Sequence, residues 1–103
     1  MKAVITVVGG DRVGIVAKTC AKCFEFNVNI LDISQRVVDN LFTMTMVVDV
    51  TDCNIPFTQF VDEMNKLGQE LGQNIHTMHE NIVSKASSVL ALLHALQNAH
   101  VER

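Results

Sequence analysis

Residues 7–16 read VVGGDRVGIV. A β-branched apolar run stops at Gly9-Gly10, a charged pair follows, Gly14 comes next, and a helical pattern begins at Ile15. This is the grammar of a strand, a glycine loop and a helix start. The first N–H groups of a helix have no intrahelical partners and carry the positive end of its dipole, so such a junction suits a small anion. Gly9 and Gly14 are spaced as in a Walker A loop, but Ile15-Val16 stand where Lys-Ser/Thr belongs, and the dinucleotide pattern GxGxxG is absent. Nucleoside triphosphates and dinucleotides are therefore excluded. Two readings stay open for Gly9–Gly14: a seat for a small carboxylate, or a plain turn whose glycines serve the backbone alone.

Upstream, residues 2–8 form a short first strand. Downstream, Ile15, Val16, Thr19, Cys20, Cys23 and Phe24 fall on one face of a helix, with Asp11 placed to cap its start. Residues 28–38 read as a second strand, Asp39-Asn40 as a two-residue turn, and 41–50 as a third strand. In the third strand Phe42, Met44, Met46, Val48 and Val50 alternate with polar residues, the pattern of a half-buried antiparallel strand. Pro56 suits the first turn of a second helix. Phe57, Phe60, Val61, Met64, Leu67 and Leu71 then mark its buried stripe, and Gly72 its end. Residues 74–83 make a fourth strand. The order β-α-β-β-α-β predicts an α+β, ferredoxin-like sandwich: a four-stranded antiparallel sheet with two helices on one face. Residues 84–103 follow as a C-terminal extension. In it Val89, Leu90, Leu93 and Leu96 form a short stripe, expected as an amphipathic helix that must find something to pack on.

The chain has 103 residues, one domain's worth, and a formal charge of −3. Its eight lysines and arginines are scattered, so nothing prepares it to track nucleic-acid phosphates. Without Trp or Tyr it lacks the stacking platform of an RNA-recognition sheet of this topology. No run approaches the roughly 20 apolar residues of a membrane span, and the N-terminus lacks a signal-peptide cleavage pattern. Three cysteines, an odd number, fit reduced thiols and a cytoplasmic location. Cys20 and Cys23 form a CxxC pair, but one inside the helix rather than at its N-terminus, where a reactive or copper-carrying pair belongs. Inert buried thiols are the expectation. His76 and His79, three apart on a strand, point to opposite faces and do not complete a zinc site. No nucleophile–base arrangement stands out, and the glycine junction is unlike the basic phosphate loop of acylphosphatase. Neither an enzyme nor a cofactor or metal is expected.

The stretch GGDRVGIVAKTCAKCFEFNVNILDISQRV resembles the opening of an ACT domain: an Asp-Arg-x-Gly-Ile-Val junction, a helix, then Asn29-Ile30 entering the second strand. NILDISQ, together with FTM at residues 42–44, narrows this to the small stand-alone type, the UPF0237 family. That type is related to the glycine-cleavage repressor and the N-terminal domain of formyltetrahydrofolate deformylase. The resemblance covers residues 1–83, so the expected division is an ACT domain at 1–83 and an extension at 84–103. It implies a regulatory module that binds an amino acid or another small ligand and pairs side by side into an eight-stranded sheet, with the ligand at the homodimer interface. Carried over by position, the ligand residues are Gly9, Gly10, Asp11, Arg12, Val13, Gly14, Asn29 and Ile30. Main-chain N–H groups would hold a carboxylate, and Asn29 or Asp11 would meet the ammonium. Many ACT domains carry proline where this chain has Val13. The alternative is an interaction module that keeps the ACT shape without ligand binding. The resemblance says nothing about residues 84–103.

Overall fold

The computed structural model describes residues 1–79. The expected C-terminal helix and the far part of the expected fourth strand lie outside the described residues. The elements are β1 (Lys2–Gly10), α1 (Ile15–Glu25), β2 (Asn29–Val38), β3 (Leu41–Asp49), α2 (Phe57–Leu71) and β4 (Gln73–His79). They form one antiparallel sheet in the order β2-β3-β1-β4, with both helices on one face, as the order of elements predicts. β2 and β4 are the edges.

Alternation decides which side of each strand is covered. Ala3, Ile5 and Val7 of β1 stand beside Val48, Met46 and Met44 of β3, and all six side chains are buried under the helices. α2 adds Phe60, Met64, Leu67 and Leu71, and β4 adds Ile75, to the same core. The β2–β3 turn is built on Asp39 and Asn40, at φ 49° and 69°. Two consecutive left-handed residues match the twist of a tight hairpin, and Asn and Asp tolerate that region. In β2 the register shifts between Ile30 and Asp32, so Leu31 is an extra residue. That bulge lets Ile30, Ile33, Gln35 and Val37 share the helix side of the strand.

Three local expectations need correction. The glycines do not end the first strand: β1 runs on through Gly9 and Gly10, paired with Phe42 and Leu41. Asp11 does not cap α1; the N-cap is Gly14, and no side chain bonds to the helix start. Phe24 is not buried with Cys23 but 81% exposed, because α1 lies toward the β2 edge and its outer flank reaches past the core. Phe26, beyond the helix, takes the inward place and meets Phe60 edge to face at 6.1 Å. Pro56 sits at the N-cap of α2, one place before its first turn, and Gly72 closes that helix at φ 66°.

Candidate functional site

The junction after β1 is held from three directions. The Asp11 N–H donates to the Asn40 carbonyl at 2.7 Å, tying the chain to the hairpin turn as it leaves the sheet. Arg12 Nη1 donates to the carbonyl of Leu71, the last residue of α2, at 3.0 Å. A cation there satisfies a helix-end carbonyl and sits at the negative end of the dipole. Gln73 Nε2 donates to the Gly10 carbonyl at 2.7 Å. The Gln73 side chain crosses Gly9 so closely that a Cβ on Gly9 would overlap its amide. Gly9 is thus a close-approach glycine, needed by a residue 64 positions away.

Gly14 turns the chain into the helix at φ 92°, a region that side chains with a Cβ rarely adopt. The first bond of α1 runs from the Lys18 N–H to the Gly14 carbonyl, which leaves the N–H groups of Ile15, Val16 and Ala17 without helical partners. No acidic residue lies in the first turn to neutralise them. Beside them opens a cleft of about 470 Å³, walled by Asp11 to Ala17, by Gln35, Arg36 and Val37 of β2, and by Phe42 of β3, with Val13 standing outside the lining. Val13 stands wholly in solvent.

Of the sequence-derived site residues, Gly9, Gly10, Asp11, Arg12 and Gly14 come together at this junction. Asn29 and Ile30 do not join them within the chain. Asn29 is in register with Asp49, whereas Gly10 is level with Leu41 and Val38. Nine residues of β2 separate the two levels, roughly 30 Å at about 3.3 Å per residue. Ile30 is half-buried against the core. Asn29 lines a second cleft of about 370 Å³ with Phe24, Asn27, Val28, Asp49 and Asp52. There Asp49 accepts from the Thr51 hydroxyl, the Thr51 N–H and the chain's amino terminus. The Thr51 bonds, aided by the terminal charge, lower its pKa from an ordinary 3.8 to about 2.

The wall formed by Gln35, Arg36, Val37 and Phe42 has no signal in the sequence, since no motif marks the strand side of a cleft. The roles of Arg12 and Gln73 were equally hidden, although Gln73 follows the helix-ending Gly72 directly. Cys23 is buried, and burial first, then the nearby Cys20 and Cys53, raises its thiol pKa to about 12. Such a thiol is no nucleophile at neutral pH. Among the described residues no three His, Cys, Asp or Glu side chains are grouped to hold a metal, and no helix is long and apolar enough to cross a membrane.

Between the two clefts, along α1 and the β2 edge, the surface turns apolar. Val16, Cys20 and Phe24 form a stripe at i, i+4 and i+8 on α1, of which Phe24 is fully open. On the free edge, Leu31, Ile33, Val37 and Val38 of β2 are all exposed. A long edge strand with exposed apolar residues is a template for pairing with another chain.

The sequence matches the family model of the ACT domain over residues 2–78. It is 44% identical over 81 residues to a UPF0237 protein of Methanocaldococcus jannaschii, covering 79% of this chain and 90% of that relative. Among solved structures, an ACT domain protein from Streptococcus pneumoniae is 46% identical with a TM-score of 0.68, covering 76% of this chain and 88% of that one. The fold also matches a formyltetrahydrofolate deformylase from Pseudomonas syringae pv. tomato, at 20% identity and a TM-score of 0.69 over 76% of this chain and 27% of that one.

Proposed function

This chain belongs to the ACT domain family, whose members are commonly regulatory small-molecule-binding modules, and on that premise we propose that it is a cytoplasmic regulator that binds an amino acid at a homodimer interface made by the β2 edges. The observation that carries this reading is the shape of the junction cleft. It has unpartnered helix N–H groups at its base and a mixed wall of Gln35, Arg36, Val37 and Phe42, and its lining runs to Val37 on the free edge strand, where Ile33 and Val37 are exposed. A second copy aligned antiparallel along β2, centred near Ile33-Ser34, covers that apolar surface. The same pairing brings the partner's Asn29 level with Val38, beside the open side of the cleft. The residues that lie apart in one chain then meet across two.

In this arrangement the ligand carboxylate sits on the N–H groups of Ile15 and Val16, and the amide of the partner's Asn29 or the carboxylate of Asp11 accepts from its ammonium. The ligand side chain lies against Val37 and Phe42. Regulation follows by linkage: a ligand seated between two copies favours the arrangement that seats it, and a partner protein reads that arrangement. A thermal-shift series of the full chain against the twenty amino acids tests the reading. A cognate ligand at a hundredfold excess over its dissociation constant adds about 2.7 kcal/mol of stability. Gly14→Val abolishes the shift by straining the junction. A flat response from a chain that is demonstrably dimeric leaves an ACT-shaped interaction module instead.

A further inference from the structure

The edge strand β2 carries two opposite charges on one side, placed symmetrically. Ile33, Gln35 and Val37 lie on its helix side, level with Met46, Met44 and Phe42. Asp32, Ser34 and Arg36 therefore lie on the other face, level with Val47, Thr45 and Thr43, and all three are exposed. Asp32 and Arg36 flank Ser34 at two residues on either side. Four steps along a strand are roughly 13 Å at about 3.3 Å per residue, too far for the two to pair with each other. Among the described residues neither side chain has a hydrogen-bond or ion-pair partner. The charges face the free edge unanswered.

A second copy supplies the answer in one register. Across a two-fold axis, antiparallel strands set residue i opposite j and j opposite i, and directly opposed residues share a face of the sheet. The axis must then pass through a residue of β2. Through Ser34, it sets Asp32 against the partner's Arg36 and Arg36 against the partner's Asp32. Through Ile33 or Gln35, it leaves both charges opposite uncharged residues. Through Asp32 or Arg36, it sets like charge against like, which is destabilising. With the extra residue Leu31 passed over, the Ser34 axis also brings Val38 opposite the partner's Asn29. We propose that Asp32 and Arg36 make two reciprocal cross-strand ion pairs that fix the register of β2 self-pairing and select a second copy of this chain as the partner. This rests on the homodimer reading above and adds its register. Exposed ion pairs supply little affinity by themselves; their effect is to penalise wrong registers and wrong partners.

Charge reversal in the full-length chain, read by sedimentation equilibrium at low salt, tests the pairing. Asp32→Arg and Arg36→Asp each turn two attractions into two repulsions, so each should weaken self-association by roughly tenfold. Both positions are exposed, and the far-ultraviolet circular dichroism of each variant should match the wild type. An equimolar mixture of the two variants should associate as tightly as the wild type, because a strand with two basic residues then meets one with two acidic residues. The chain carrying both reversals should also regain wild-type association, since each pair is only inverted. Single reversals that dimerise like the wild type, or a mixture as weak as its components, overturn the register and leave the homodimer standing. A wild-type chain that stays monomeric removes the homodimer reading and the ion pairs with it.

Discussion

Both helices carry apolar stripes, and the two stripes meet different fates. In α2, Phe60, Met64, Leu67 and Leu71 are all buried. In α1, Ile15, Thr19 and Cys23 are buried, while the neighbouring stripe of Val16, Cys20 and Phe24 is left half-open or open. The cause is position over the sheet. α2 lies along β4 and closes the core on that side, whereas α1 lies toward β2, an edge strand on which Leu31, Ile33, Val37 and Val38 are exposed. Periodicity shows that a helix has an apolar face; it does not show whether the covering surface comes from the same chain.

The largest difference should appear in stability. Phe60→Ala empties a fully buried aromatic site and costs about 3–5 kcal/mol in urea unfolding. Phe24→Ala leaves the stability of the monomer within about 0.5 kcal/mol, as expected for an exposed residue, and instead weakens self-association in sedimentation equilibrium. Equal losses of stability from the two changes would break the comparison.

A smaller effect tests the junction beside α1. Gly9→Ala drives a Cβ into the Gln73 amide and costs about 1–3 kcal/mol, the range for overpacking. Gln73→Ala in the same chain removes the collision, so the double variant should recover part of the loss that the two single variants add up to. Smaller again is Arg12→Ala. It removes one charge-assisted bond to the end of α2 and costs about 1 kcal/mol of stability, with its effect on ligand binding following only from the altered loop.

The pH prediction concerns the far cleft. The carboxyl of Asp49 has a pKa of about 2 in the folded chain against an ordinary 3.8, because Thr51 and the amino terminus hold its charged form. The contribution is fully present above the unfolded value and is lost as the pH falls from about 4 toward 2. Acid unfolding of Asp49→Asn should lack that part of the slope. Because the group is exposed, the effect is the smallest of the set.

Most of the fold was legible because its signals are local. Asp39-Asn40 between alternating runs announces the hairpin, and Pro56 and Gly72 bracket α2 to within one residue. Where reading failed, the deciding partner was remote in sequence. Gly9 and Gly10 look like a loop, but Phe42, Leu41 and Gln73 keep them in the sheet. Phe24 has the right spacing for burial, but the sheet ends beneath it. Of the candidate site, Asp11, Arg12 and Gly14 were named from the resemblance and line the junction cleft, while the strand wall of Gln35, Arg36 and Val37 carries no local signal, because it depends on how β2 lies beside α1. The distance between Asn29 and the junction follows from strand register, which residue types alone do not specify.

That separation sets the most direct test of the account, which holds that one binding site is built from two copies. Gly14→Val damages the junction and Asn29→Ala removes the partner's amide, so each homodimer should bind no amino acid in calorimetry. Mixed in equal amounts and allowed to exchange, they form heterodimers in which one site has both parts intact. With random pairing, half of the dimers are mixed and carry one good site each, so binding should return to about a quarter of the wild-type stoichiometry. Mixed chains that stay inert, or an Asn29→Ala homodimer that binds like the wild type, would contradict the shared site.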